Sequence, residues 1–108
     1  MADTDKIMQL AEKGKMKKVL SYANSKDAQE RGAAARALGK FPGDDAFNKL
    51  VFLLEDPDMS VRIAATEGLG AIGMEKGKEF LRHAISKSDN AQFTEAAKHA
   101  MGQIPSRQ

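Results

Sequence analysis

Residues 58–73 read DMSVRIAATEGLGAIG. The last six, Gly68 to Gly73, spell G-x-G-x-x-G, the spacing that brings backbone N–H groups up to a pyrophosphate at a helix N-terminus. A dinucleotide-binding turn needs a strand before those glycines and a helix opening at them. What precedes them instead is a helix. Val61, Ala64, Ala65, Leu69 and Ile72 recur at the 3.6-residue period of one buried face. The glycines therefore need another explanation, and the rest of the chain supplies it.

Shifted by 31 residues, DAQERGAAARALGKF (Asp27 to Phe41) lies over DMSVRIAATEGLGAI (Asp58 to Ile72). Asp27 meets Asp58, Arg31 meets Arg62, Ala33-Ala34 meets Ala64-Ala65, and Leu38-Gly39 meets Leu69-Gly70. One further residue of offset adds NAQFTEAAKHAMGQI (Asn90 to Ile104), and KIMQL near the start matches the tail of a truncated earlier copy. Between the copies, KMKKVLSYANSKD, AFNKLVFLLEDPD and GKEFLRHAISKSD align Val19 with Leu50 and Leu81, then Ala23 with Leu54 and Ile85. Each repeat is thus an A helix, a short turn bearing Asp or Asn, and a B helix. Within this frame Gly68 aligns with Ala37 and Ala100, a small packing position. Gly70 aligns with Gly39 and Gly102 and belongs to the repeat. Gly73 aligns with Pro42 and Pro105 and ends a helix. No nucleotide cofactor is expected.

The repeated polar residues have physical roles. Asp27, Asp58 and Asn90 stand where a short side-chain acceptor caps the first N–H groups of a helix. Arg31 and Arg62, four residues later, are placed to reach the Asp turn of a neighbouring repeat and tie the array together. The first copy departs by carrying Glu30 in the slot of Val61.

Composition agrees with a helical chain and narrows its chemistry. At 108 residues one domain is expected, rich in helix formers and poor in aromatics (five Phe, one Tyr, no Trp). Cysteine is absent, which excludes disulfides and thiolate chemistry. The longest apolar run, Leu50 to Leu54, is far too short to span a membrane, and the acidic opening MADTDKIMQL has no signal-peptide layout. A soluble cytoplasmic protein is the expectation. The net charge of +2 hides an uneven spread. Residues 1–40 hold nine Lys/Arg against five Asp/Glu, residues 41–74 two against six, and residues 75–108 six against four. An acidic middle would repel a polyanion, so nucleic acid is not the expected partner.

The pattern D-x-x-x-R-x-A-A-x-x-x-L-G-x-I, preceded by a second amphipathic helix, resembles the HEAT repeat. The short period resembles the phycobilin lyase HEAT-like type more than the usual length of about 40–47 residues. The resemblance implies an all-α, right-handed α-solenoid with three helix pairs and a partial N-terminal helix. Its boundaries are a partial repeat at 1–12 and repeats at 13–42, 43–73 and 74–105. It also implies A helices on the convex side, B helices on the concave side, and a protein partner bound along one extended face. The third copy, with Asn90 for Asp and Thr94 for Arg, reads as a cap. A monomer or a weakly end-stacked oligomer is the expectation. The alternative function is that of an accessory subunit of a phycobilin lyase-type or other HEAT-containing complex, with nucleic-acid binding the weaker third reading.

No catalytic residue, metal ligand or cofactor site is expected. His83 and His99 are the only histidines, neither is followed by the Glu that marks His-Glu iron ligands in some HEAT-type hydroxylases, and a metal needs three or four convergent donors. No Ser–His spacing suggests a nucleophile. The candidates are for binding. Arg36, Glu67 and His99 occupy equivalent B-helix positions and should line up across the repeats, with Glu30, Lys40 and Gln103 nearby. This line reads either as a surface ladder of weak pairs or as a recognition strip. Phe52, equivalent to Ser21 and His83, either folds over onto the adjacent A helix or stands out as an apolar anchor. Lys13, Lys15, Lys17 and Lys18 form a basic stretch, read as a solvated face or as a contact for an acidic protein or a phosphate backbone.

Overall fold

The computed structural model describes residues 2–106, which form seven helices and no strand. They are α1 (Thr4–Glu12), α2 (Met16–Tyr22), α3 (Ala28–Leu38), α4 (Asp44–Leu53), α5 (Met59–Ile72), α6 (Gly77–Lys87) and α7 (Ala91–Gln103). Helices α2, α4 and α6 form one layer, while α1, α3, α5 and α7 form the other, each packed on the next. The pairs α2–α3, α4–α5 and α6–α7 bridge the layers, giving an α-solenoid 36 × 31 × 17 Å across.

The core lies between the layers and follows the repeat. Val19, Leu50 and Leu81, one from each A helix, are completely buried. So are Ala34 and Ala65 and their equivalent Ala97 on the B helices. Each of the three large A-helix residues contributes about 1.5–3 kcal/mol by leaving water. The alanines contribute mainly by letting helices approach. Ile7, the truncated copy's match to Leu38, is also fully buried, and α1 packs on α3 as a B helix does.

Two glycines show how close that approach is. A Cβ on Gly68 would sit 2.5 Å from the Ala35 carbonyl oxygen and 2.6 Å from Leu50 Cδ2. One on Gly39 would sit 2.8 Å from Ala71 Cβ. Both lie where α3 meets α5. Gly73 acts differently, since its φ of 71° makes it the left-handed residue that ends α5. A Cβ on Gly70 would lie 3.1 Å from Ala100 Cβ of α7, so within the G-x-G-x-x-G Gly68 and Gly70 serve close packing and Gly73 ends the helix. None opens a helix toward a phosphate.

The departure at Glu30 also has a local cause. Its carboxylate accepts from Ser25 Oγ at 2.6 Å and from the Asp3 backbone N–H at 3.0 Å, at the entry to α1. Where Val61 meets the apolar interior, Glu30 meets the polar start of a helix.

Candidate functional site

Helices α3, α5 and α7 each begin with a turn built the same way. The Asp27 side chain accepts from the backbone N–H groups of Gln29 and Glu30, Asp58 from that of Ser60, and Asn90 from that of Phe93. Two residues earlier a second acceptor holds the cap residue's own N–H: Ser25 for Asp27, Asp56 for Asp58, and Ser88 for Asn90. Four residues after each of the first two caps comes an arginine.

Arg31 makes the tie between repeats. Its Nε donates to Asp56 Oδ2 at 2.8 Å and its second terminal nitrogen to Asp56 Oδ1 at 3.0 Å, a bidentate pair. The remaining terminal nitrogen donates to the carbonyls of Ser25 and Lys26 in its own turn. The pair is well enclosed, with 16% of the Arg31 side chain and 6% of the Asp56 side chain accessible. Burial pushes the Asp56 carboxyl up, but the Arg31 hydrogen bond, the Asp58 N–H and the Arg31 charge together hold it below the usual carboxylate value. The same hydrogen bond raises Arg31. Asp58 is held low chiefly by the Ser60 hydroxyl and N–H. The acid that Arg31 takes is therefore Asp56, while Asp58 is occupied in capping its own helix.

Arg62 does not repeat this tie. Its Nη1 donates to the Asp56 carbonyl of its own turn, as Arg31 does to Ser25, and its other terminal nitrogen lies 3.8 Å from Met59 Sδ. No ion pair among the described residues includes it. The reason is one residue: Ser88 stands in the third repeat where Asp56 stands in the second.

On the outer surface of the B layer, Arg36 Nε and Glu67 Oε1 are 2.5 Å apart and about half exposed. His99 is exposed at the next equivalent position, but it joins no pair with Glu67. The expected line of three is thus a linked pair and a separate histidine. Of its expected neighbours, Glu30 is engaged at the start of α1, Gln103 packs its amide against Gly70, and Lys40 is exposed. Beside Arg36 an open groove of about 610 Å³ runs between α1 and the start of α3, edged by Asp5, Met8, Gln29 and Gly32. Met8 is one of the few exposed large apolar residues.

Phe52 is 70% exposed, so it does not fold over onto a neighbouring helix; its ring instead lies under Lys49, whose Nζ is 5.1 Å from the centroid. Phe80 on α6 is also partly exposed and meets Phe47 edge to face at 5.8 Å. Lys13, Lys15, Lys17 and Lys18 are all solvent-facing in sequence register and take part in no ion pair among the described residues. His83 is exposed as well, and no group of three or more metal-ligating side chains occurs among the described residues. No helix there is long and apolar enough to cross a membrane.

A family model described as HEAT repeats matches residues 16–102. None of the curated proteins compared with the chain matches it.

Proposed function

Because the chain belongs to the HEAT-repeat family, we propose that it is a non-enzymatic interaction module holding a protein partner along its α1–α3–α5–α7 face. HEAT repeats generally serve protein interaction. The observation that carries the reading is the open groove beside Arg36, with the exposed Met8 on its edge and the Arg36–Glu67 pair next to it. A groove of about 610 Å³ with one apolar edge and two opposite charges can seat a helix or loop and fix its direction. His99 lies further along the same face, and Phe52 on the opposite layer offers a second contact.

In this reading residues 1–108 act as one domain in the cytoplasm, with the partial repeat at 1–12 and repeats at 13–42, 43–73 and 74–105. It works as a monomer or a weakly end-stacked oligomer. The decisive experiment is affinity capture followed by titration of each captured protein against Arg36→Glu, Glu67→Arg and His99→Ala variants. A partner whose affinity falls at least tenfold with the charge reversals supports the face. Partners unaffected by all three would remove it.

The repeat spacing of 31 residues favours one second reading, an accessory subunit of a phycobilin lyase. Titration with a free bilin and with a phycobiliprotein, followed by visible absorbance, tests it. An unchanged spectrum would dismiss that role.

A further inference from the structure

The missing tie at Arg62 leaves a pocket. A cavity of about 280 Å³ opens between α4 and α6, above the starts of α5 and α7. Leu54, Met59, Phe80 and Phe93 give it apolar lining, and Arg62 and Ser88 are among its polar lining residues. Arg31, in the equivalent place one repeat earlier, shows what such a guanidinium takes when it can. Its terminal nitrogen is anchored on the carbonyl of its own turn, and its other edge grips a carboxylate with two hydrogen bonds. Arg62 is anchored on the equivalent carbonyl, and the residue that would present the carboxylate is a serine.

We propose that this pocket receives an acidic side chain from a partner protein, with Arg62 taking its carboxylate and the apolar lining taking the residue beside it. The occupant is inferred from charge and size together. The other charged groups around the opening do not satisfy Arg62: Lys87 and Glu55 pair with each other at 3.1 Å, and His83 and Asp89 join no ion pair among the described residues. At about 280 Å³ the space falls short of the ~300–1,000 Å³ of sites for drug-sized ligands. It suits an anchor of one or two side chains. A carboxylate there would replace the charge-assisted, bidentate bond that Arg31 finds within the chain. The proposal rests on the reading of the chain as an interaction module, but it places a contact on a different surface from the Arg36 groove.

The test uses the whole chain and two blocked tripeptides, N-acetyl-Leu-Asp-Leu-amide and its Asn counterpart, titrated up to about 10 mM, where weak anchors are measurable. Two-dimensional NMR follows the Arg62 Nε–H and the amides of residues 88–90. The Asp peptide should give saturable shifts there, and the Asn peptide should bind at least tenfold more weakly. Ser88→Asp recreates the acid of the second repeat inside the chain, so it should abolish binding while raising the melting temperature. That variant adds a contact and therefore does not depend on a damaged fold. Asp89→Asn, which removes a competing negative charge, should tighten binding. Equal binding of the two peptides, no saturable shift, or undiminished binding to the Ser88→Asp variant would each overturn the proposal. Arg36→Glu should leave these shifts unchanged, so failure of the Arg36 groove and failure of this pocket are read separately.

Discussion

Replacing Asp56 by Asn is the sharpest probe of what holds the first two repeats together. The substitution keeps the shape and one acceptor, so it isolates the charge. Removing one partner from a fully buried pair costs about 3–5 kcal/mol. Here the Arg31 side chain retains 16% of its exposure and Asn can still accept one bond, which lowers the expected loss to about 2–3 kcal/mol. For a chain of 108 residues that corresponds to a fall of roughly 10 °C in Tm. Thermal and urea unfolding followed by far-UV circular dichroism measure it. A double-mutant cycle with Arg31→Met should return a coupling of about 2 kcal/mol. The pH dependence gives a second signature. Asp56 titrates below its unfolded value of about 3.9, so its contribution is complete above that pH and is lost as pH falls through the lower folded value. The difference between wild type and Asp56→Asn should therefore hold steady from neutral pH to about pH 5 and narrow toward about pH 3. A loss below about 0.5 kcal/mol, or a difference that stays constant on acidification, would refute the view of this pair as an enclosed ionic tie.

Gly68→Ala should destabilise by about 1–3 kcal/mol, because the new methyl group meets the Ala35 carbonyl and Leu50 at distances that demand backbone movement. Gly102→Ala, where nothing lies within 4 Å of the added carbon, should instead stabilise by up to about 1 kcal/mol through helix propensity; chemical denaturation compares the two. Breaking the Arg36–Glu67 pair with Glu67→Gln should change stability by less than about 0.5 kcal/mol, since both groups are half exposed, while altering affinity for any partner that uses the face. Phe52→Ser should leave Tm nearly unchanged and reduce binding of a hydrophobic dye such as ANS, because the ring is already 70% exposed.

The architecture is legible in the sequence because repetition checks itself. Val19, Leu50 and Leu81 align on periodicity alone, and all three are fully buried. A single amphipathic pattern is ambiguous, but three copies in register specify which face turns inward. The same alignment dissolves the nucleotide motif, since Gly68 answers to alanines and Gly73 to prolines. Long side chains are less legible. Register places Arg36, Glu67 and His99 on one line, yet the flexible ends decide whether they touch, and only the first two do. The acid held by Arg31 does not emerge from the cap residues, because it lies two positions before them. A signal is present: the three turns read Ser25-x-Asp27, Asp56-x-Asp58 and Ser88-x-Asn90, and only the middle one offers an acid there. A cap residue such as Asp58 spends its oxygen on its own helix, so the free acceptor has to come from the other side of the turn.

The unequal turns make the two junctions mechanically different. In a repeat array each unit leans only on its neighbours, so the stiffness of the whole is set by its joints. The joint between α3 and α5 carries a clamp with both ends fastened; the joint between α5 and α7 has its clamp fastened at one end. Bending and fraying should therefore concentrate at the second joint, with amides in α6 and α7 exchanging with solvent before those of α3 in a hydrogen-exchange experiment. A ligand that supplied the absent carboxylate would act as the missing fastener, converting a compliant segment into a rigid one and setting the curvature of the face on the far side.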